Sequence, residues 1–276
     1  MERMKIHNPY NAPVFHEDTV SSTMDVSKKL AEEGFSHGTV ICADFQEEGR
    51  GRIPRRKWLS DRLAGLAFTV LLRYRQMENI PRALTLRTGL VVTQAIEDFI
   101  LLLQNTKGID AKNSAPPEIL IKWPNDIMIG DKKAGGILSE ANSGTPGANV
   151  HIGIGVNVTQ KTFPSHLEKK AASIALCANI DITSDERFLL LEKILLRLYS
   201  ELDNELCPLL TANDWKRRLE KRMYKKDKQV VFIDGEAESG REIKGALAGI
   251  SETGELLIIP QGETIARAFI TGELKY

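Results

Sequence analysis

Apolar and polar positions change period several times along the chain, and each change marks an element. Ser22 and Thr23 precede Met24 to Glu33, where Val26 and Leu30 lie four apart and Gly34 ends the run, so the pattern predicts a short capped helix with a glycine stop. Thr39 to Phe45 reads as a buried strand. Leu63 to Tyr74 reads as another, because Leu66, Phe68, Val70 and Leu72 alternate. Pro81 opens a long apolar-periodic helix to about Leu103, followed by a polar, proline-terminated connection from Asn105 to Pro117. Glu118 to Ile121, Ile127 to Ile129 and Ile137 to Glu140 are short strand-like runs, and Gly130-Asp131 predicts a hairpin between the last two. After a loop from Asn142 to Asn149, Val150, Ile152, Ile154, Val156 and Val158 form one face of a strand. Thr183-Ser184-Asp185-Glu186 is a capping-box pattern ahead of a second long helix, with Phe188, Leu191, Leu195, Leu198 and Leu202 on its buried side.

Beyond Tyr224-Lys225-Lys226-Asp227 the helical period gives way to short strands broken by Gly235, Gly240, Gly254 and Gly262, which predicts a small separate β-barrel. The length of 276 residues fits a large domain with a small one attached. The 37 Lys and Arg cancel the 37 Asp and Glu, which excludes a uniformly basic surface for nucleic acid or anionic membrane but not a local basic site. Cys42, Cys177 and Cys207 are odd in number, far apart and in no C-x-x-C pair. They argue against a disulfide framework or a cysteine-rich zinc site, and a reducing cytoplasm is the expected setting. No segment has signal-peptide character or approaches the roughly 20 apolar residues of a membrane span, so neither export nor membrane insertion is expected.

Four segments are candidates for chemistry. Gly49-Arg50-Gly51-Arg52-Ile53-Pro54-Arg55-Arg56-Lys57-Trp58 combines glycines, which let backbone N–H groups approach an anion, with guanidinium forks that fit carboxylate or phosphate. A solvated basic loop or a nucleic-acid contact has the same composition. Lys122-Trp123-Pro124-Asn125-Asp126 puts a lysine and two short polar side chains at a strand end, where ligand clefts gather polar groups, although Pro124-Asn125-Asp126 also fits a plain turn. Lys132-Lys133-Ala134-Gly135-Gly136 brings two lysines into a hairpin with room beside its glycines. In Gly153-Ile154-Gly155-Val156-Asn157-Val158 the alternate glycines flatten one face of a strand, and without G-x-G-x-x-G spacing they support no dinucleotide fold. The five histidines show no metal-binding spacing, and no serine sits in a G-x-S-x-G elbow.

Taken in order, Ser22-Thr23, Gln46-x-x-Gly49-Arg50-Gly51-Arg52, Lys122-Trp123-Pro124-Asn125-Asp126, Lys133-Ala134-Gly135-Gly136-Ile137-Leu138 and Gly153-Ile154-Gly155-Val156-Asn157-Val158 resemble the signature of biotin protein ligases. The resemblance runs from about residue 15 to the end of the chain. It implies an α+β fold: a class II synthetase-like catalytic domain around a central mixed sheet, residues 1–225, and a C-terminal SH3-like barrel, residues 226–276. It implies that the enzyme makes biotinyl-5′-AMP and pyrophosphate from biotin and MgATP, then passes biotin to a lysine of a biotin carboxyl carrier domain. Ser22, Thr23, Gln46 and Gly136 would bind biotin, with Arg50, Gly51 and Arg52 closing over biotin and the adenylate. Lys133 and Arg52 would be catalytic, Lys133 touching both the biotin carboxylate and the α-phosphate. Arg52, Arg56, Lys122, Asn125, Asp126, Lys133 and Asn157 would face ATP, Asp126 nearest Mg²⁺, and Trp58 would pack on the adenine side.

There are departures from the pattern. Ile53-Pro54-Arg55 lengthens the basic loop by one residue and leaves Arg55 and Arg56 as alternatives for its later arginine; counting back from Lys57-Trp58 favours Arg56. Met24 stands where an asparagine is common, and Gly135 where an alanine is common. Some family members carry an N-terminal DNA-binding domain; Ser22-Thr23 comes too early here for one, so no DNA partner is expected, while a homodimer is within the family's range. Two other readings remain: a lipoate or octanoate protein ligase, and a nucleic-acid-binding module that uses the basic loop.

Overall fold

The structure, a computed structural model, describes residues 1–53, 56–58, 60–109, 116–144, 147–203, 214–236 and 239–275. Arg55, Cys207, Glu238 and part of the expected connection from Asn105 to Pro117 lie outside these residues. The first part of the chain runs through β1 (Glu2–Arg3), β2 (Val14–Val20), α1 (Thr23–Glu32), β3 (Thr39–Gln46), β4 (Gly65–Tyr74) and α2 (Leu84–Thr106). It continues through β5 (Ile119–Lys122), β6 (Asp126–Ile129), β7 (Lys132–Ser143), β8 (Ala148–Asn157), α3 (Ile174–Ala178) and α4 (Arg187–Leu202). The eight strands form one mixed sheet in the order β1-β2-β3-β4-β8-β7-β6-β5, in which β2 and β3 are parallel across the α1 crossover and the other pairs are antiparallel.

The period of two along β8 separates the two faces of this sheet. Val150, Ile152, Ile154 and Val156 join Leu66, Phe68, Val70 and Leu72 of β4 in the core under α2 and α4. His151 and Gly153, on the other face, meet α1: Ser27 Oγ lies 2.8 Å from His151 Nδ1, and Met24 lies over Gly153. α1 starts as its sequence predicts, with the Ser22 hydroxyl accepting from the Met24 N–H. The expected capping box also forms, Thr183 N–H donating to Glu186 at 2.8 Å and Glu186 N–H to the Thr183 hydroxyl at 3.3 Å. Leu191, Leu195 and Leu198 are buried as expected, whereas Phe188 and Leu202 are only half-buried.

Several boundaries differ from the expectations. The long helix begins at Leu84 rather than Pro81, because Ala83 takes a left-handed conformation with φ 52°. The third short strand is a 12-residue strand that starts at Lys132, and with β8 starting at Ala148 the expected loop from Asn142 to Asn149 shrinks to residues 144–147. β1 and β2 have no counterpart in the predicted elements.

The remainder comprises α5 (Trp215–Glu220), β9 (Gln229–Asp234), β10 (Arg241–Ile250), β11 (Leu256–Pro260), β12 (Arg267–Phe269) and β13 (Glu273–Leu274). Its strands form an antiparallel sheet in the order β12-β11-β10-β9-β13, which among the described residues is open rather than the closed barrel expected. The two outer strands, three and two residues long, are too short to close it. This sheet shares a second core with the first part of the chain: Leu86, Leu90, Ile121 and Trp123 pack with Val230, Phe232, Leu247 and Ile250. Among the described residues no helix is long and apolar enough to cross a membrane.

Candidate active site

A cavity of about 170 Å³ opens over the centre of the large sheet, beyond the N-terminus of α1. Its floor includes two cross-strand pairs of β8 and β7, Gly153-Leu138 and Gly155-Gly136, with Thr69 and Ala67 of β4 opposite the two glycines of β8. The glycines there answer to space. A Cβ at Gly155 would stand 2.6 Å from the Trp58 ring, and one at Gly136 would stand 3.4 Å from Lys133 Nζ. The indole therefore lies across β8 and the ammonium across β7, and the flat face expected from the alternating glycines is the floor of this cavity.

A break in register explains how Lys133 reaches it. Ile127 pairs with Gly135 but Met128 with Lys133, so Ala134 is an extra residue in β7, a bulge that re-aims the side chains on either side. Ala134 is buried in the core, and both Lys133 and Gly136 line the cavity. Lys133 Nζ donates to Asp126 Oδ1 at 2.5 Å. Its backbone is held from the far side, its N–H by Lys170 and its carbonyl by Ala172, each at 2.8 Å.

At the α1 end, Thr23 donates to Gln46 Oε1 through its N–H at 2.8 Å and its hydroxyl at 3.1 Å, and Thr69 donates to the Thr23 hydroxyl at 2.9 Å. This end is polar and fixed, as recognition of a small hydrogen-bonding head group requires. The opposite end is cationic. Arg50 makes a two-pronged pair with Asp25 of α1, Arg52 donates to the Gly272 carbonyl at 2.9 Å, and Arg56 makes a two-pronged pair with Glu273 at 2.7 and 2.8 Å. The basic loop thus ties α1 to the C-terminal sheet.

Lys122 is 1% exposed, and burial lowers its ammonium to about 8 against the opposing pull of Asp126 and Glu273. Burial also lowers the Arg52 guanidinium. For Glu273 burial acts upward, but the Arg56 fork, with the charges of Lys122 and Arg52, outweighs it and holds the carboxyl below the usual carboxylate range. Cations packed this closely, two of them with strained ionisation, mark a site built for an anion.

Ser22, Thr23, Gln46, Arg50, Gly51, Arg52, Arg56, Trp58, Lys122, Asn125, Asp126, Lys133 and Gly136 all line this cavity. Asn157 does not. It is 6% exposed and its amide is taken up by the Ala172 carbonyl and by Gln160, which holds the segment after β8. The sequence reading missed Glu273 and the position of Met24 in the cavity wall, and Thr69, which braces the Thr23 hydroxyl from behind. Glu273 carries no local signal, since only the packing of two sheets brings it to the site. The alternation in β4 puts Thr69 opposite Val70, and so on the cavity face.

Comparison with known proteins agrees with this geometry. Bifunctional ligase/repressor BirA of Bacillus subtilis is 36% identical over 169 residues, 60% of this chain and 46% of that protein. The chain thus spans about half the length of such curated relatives. Biotin--[acetyl-CoA-carboxylase] ligase of Mycobacterium tuberculosis is 25% identical over 256 residues, covering 90% of this chain and 83% of the relative. Among solved structures, a biotin protein ligase from Aquifex aeolicus in complex with biotin and ATP superposes with a TM-score of 0.66 at 27% identity, over 95% of this chain and 97% of that one. The family model described as Biotin/lipoate A/B protein ligase family matches residues 17–157, just over half of the sequence and most of the cavity wall, and the chain belongs to that family.

Proposed function

We propose that the protein is a biotin protein ligase. The observation that carries this reading is the two-ended cavity: a polar end at Thr23 and Gln46, braced by Thr69, and a cationic end at Lys122, Arg52 and Arg56, joined by a glycine floor that Lys133 crosses. Biotin is an acid with a hydrogen-bonding ureido head and an apolar chain between head and carboxylate, and this cavity has the matching order of surfaces.

In the first step a biotin carboxylate oxygen attacks the α-phosphorus of ATP. A P–O bond forms, the bond to the bridging oxygen breaks, and pyrophosphate leaves. Lys133 lies on the floor between the two ends, where its ammonium meets both anions and stabilises the charge that grows on the α-phosphate. Arg52 and Arg56 neutralise the leaving group; Mg²⁺ brought in with ATP would shield the phosphates, and Asp126 would be the carboxylate to hold it. In the second step the amine of a carrier-domain lysine attacks the acyl carbon and AMP departs, its phosphate taking both bonding electrons, with the amine proton lost to solvent.

The chain divides accordingly into a catalytic domain, 1–225, and a C-terminal SH3-like domain, 226–276. Arg222 and Tyr224 still pair with Ile121 of β5, and the chain turns at Lys225 and Asp227 with φ 60° and 61°, which supports that boundary. The free thiols Cys42 and Cys177 accord with a reducing cytoplasm, and the partner is a biotin carboxyl carrier domain. ATP–pyrophosphate exchange measured with biotin, lipoate and octanoate in turn tests the reading. Exchange with biotin is expected; exchange with lipoate alone would overturn it.

A further inference from the structure

Met24, the second residue of α1, is 4% exposed and lines the cavity beside the polar groups of Thr23 and Gln46. Beneath it lies Gly153. The φ of Gly153 is outside the left-handed region, so its backbone conformation is open to any residue and the reason for a glycine there is space. A Cβ at 153 would stand 2.8 Å from Met24 Sδ, closer than real Cβ atoms come, and 3.3 Å from its Cγ, so the thioether would have to shift. The backbone of α1 cannot carry it away. Thr23 is held by Gln46 and Thr69, and one turn later Ser27 is tied to His151 at 2.8 Å. With that backbone held, the side chain itself must shift, and the open space it borders is the cavity it lines.

We propose that Met24 is a specificity-determining wall at the head-group end of the site, and that Gly153 keeps its thioether at the depth the substrate ring needs. The thioether is apolar and polarisable, with no strong donor or acceptor. It suits the aliphatic, sulfur-containing edge of a bicyclic head group, while Thr23 and Gln46 lie on the side the ureido group takes. This inference rests on the biotin reading above and adds the residue pair that selects the ring.

The test is a double-mutant cycle on Met24→Ala and Gly153→Ala, read as KM in pyrophosphate exchange with biotin, with desthiobiotin, which lacks the sulfur and its ring, and with ATP. Gly153→Ala should raise the biotin KM at least about tenfold and leave the ATP KM within about twofold, because only the head-group end is narrowed. Met24→Ala should raise the biotin KM about fivefold and the desthiobiotin KM less than about twofold. The double variant should be no worse than Met24→Ala, since the atom that clashes has gone. Multiplying effects in the double variant, equal effects of Met24→Ala on both acids, or an unchanged biotin KM in Gly153→Ala would each overturn the proposal. Melting temperatures provide a reading without substrate: the double variant should melt above Gly153→Ala, and a lower value contradicts the clash. Wild-type exchange with lipoate and none with biotin overturns the biotin reading and this inference with it, whereas the outcomes above overturn the Met24–Gly153 pair while biotin exchange stands.

Discussion

Two lysines 11 positions apart in sequence do different work at the residue scale. Lys133 is paired with Asp126 and lies across Gly136, so its ammonium is fixed before any ligand arrives. Preorganised charge of this kind is worth about 10²–10³ in rate per donor. Lys133→Ala should therefore cut biotin-dependent exchange by at least about that factor with the melting temperature nearly unchanged, as the side chain is half-exposed; near-wild-type exchange would show that Lys133 does not meet the reacting atoms. Lys122 acts through its ionisation. In the free protein it loses its proton above about 8, and a bound phosphate favours the protonated form. ATP affinity should then be flat below pH about 8 and fall above it, with proton uptake on binding detectable by calorimetry in buffers of different ionisation enthalpy. Lys122→Met should weaken ATP binding at neutral pH and remove this slope. A wild-type profile that stays flat to about pH 9 would place the lysine away from the phosphates.

Strand β7 (Lys132–Ser143) shows at the element scale how much a single extra residue decides. Lys133 and Gly136 are three residues apart, a spacing that puts side chains on opposite faces of a regular strand, and the bulge at Ala134 absorbs the extra residue so that both face the cavity. The bulge also marks where the sequence stops being legible. The period of two in Val150 to Val158 predicts both faces of β8, and the glycines on one of them predict a flat surface, because both follow from local geometry. Ala134 breaks the period by one residue, and Lys132-Lys133 then reads as a hairpin tip rather than a strand. β1 (Glu2–Arg3) and β2 (Val14–Val20) were equally hidden. His16, Glu17, Asp18 and Thr19 interrupt the apolar run, and β2 is a strand because it pairs in parallel with β3 (Thr39–Gln46), a contact made across the α1 crossover.

Long-range packing hides the rest at the scale of the whole molecule. Glu273 belongs to the C-terminal sheet and meets Arg56 only because Trp123 docks that sheet, through packing on Phe232 and an indole hydrogen bond of 3.0 Å to the Gly254 carbonyl. A chain ending at residue 225 would lose Glu273 and expose Leu86, Leu90 and Trp123, at about 1.5–3 kcal/mol for each large apolar side chain. It should melt at least about 10 °C below the intact chain, and an unchanged melting temperature would show that the shared core contributes little. The Arg56–Glu273 pair itself is half in solvent and worth at most about 1 kcal/mol. Arg56→Ala and Glu273→Gln should each raise the KM for ATP a few-fold, with the double variant no worse than Arg56→Ala; additive effects would separate the two residues.

The central claim is that the glycine floor joins an acid-binding end to a phosphate-binding end so that a carboxylate meets the α-phosphate over Lys133. Mass spectrometry of a single-turnover mixture of protein, biotin and MgATP, with no acceptor protein present, tests it most directly. The account predicts protein-bound biotinyl-5′-AMP in the wild type and none in Lys133→Ala, and ATP left intact by a wild-type protein that binds both substrates would contradict it.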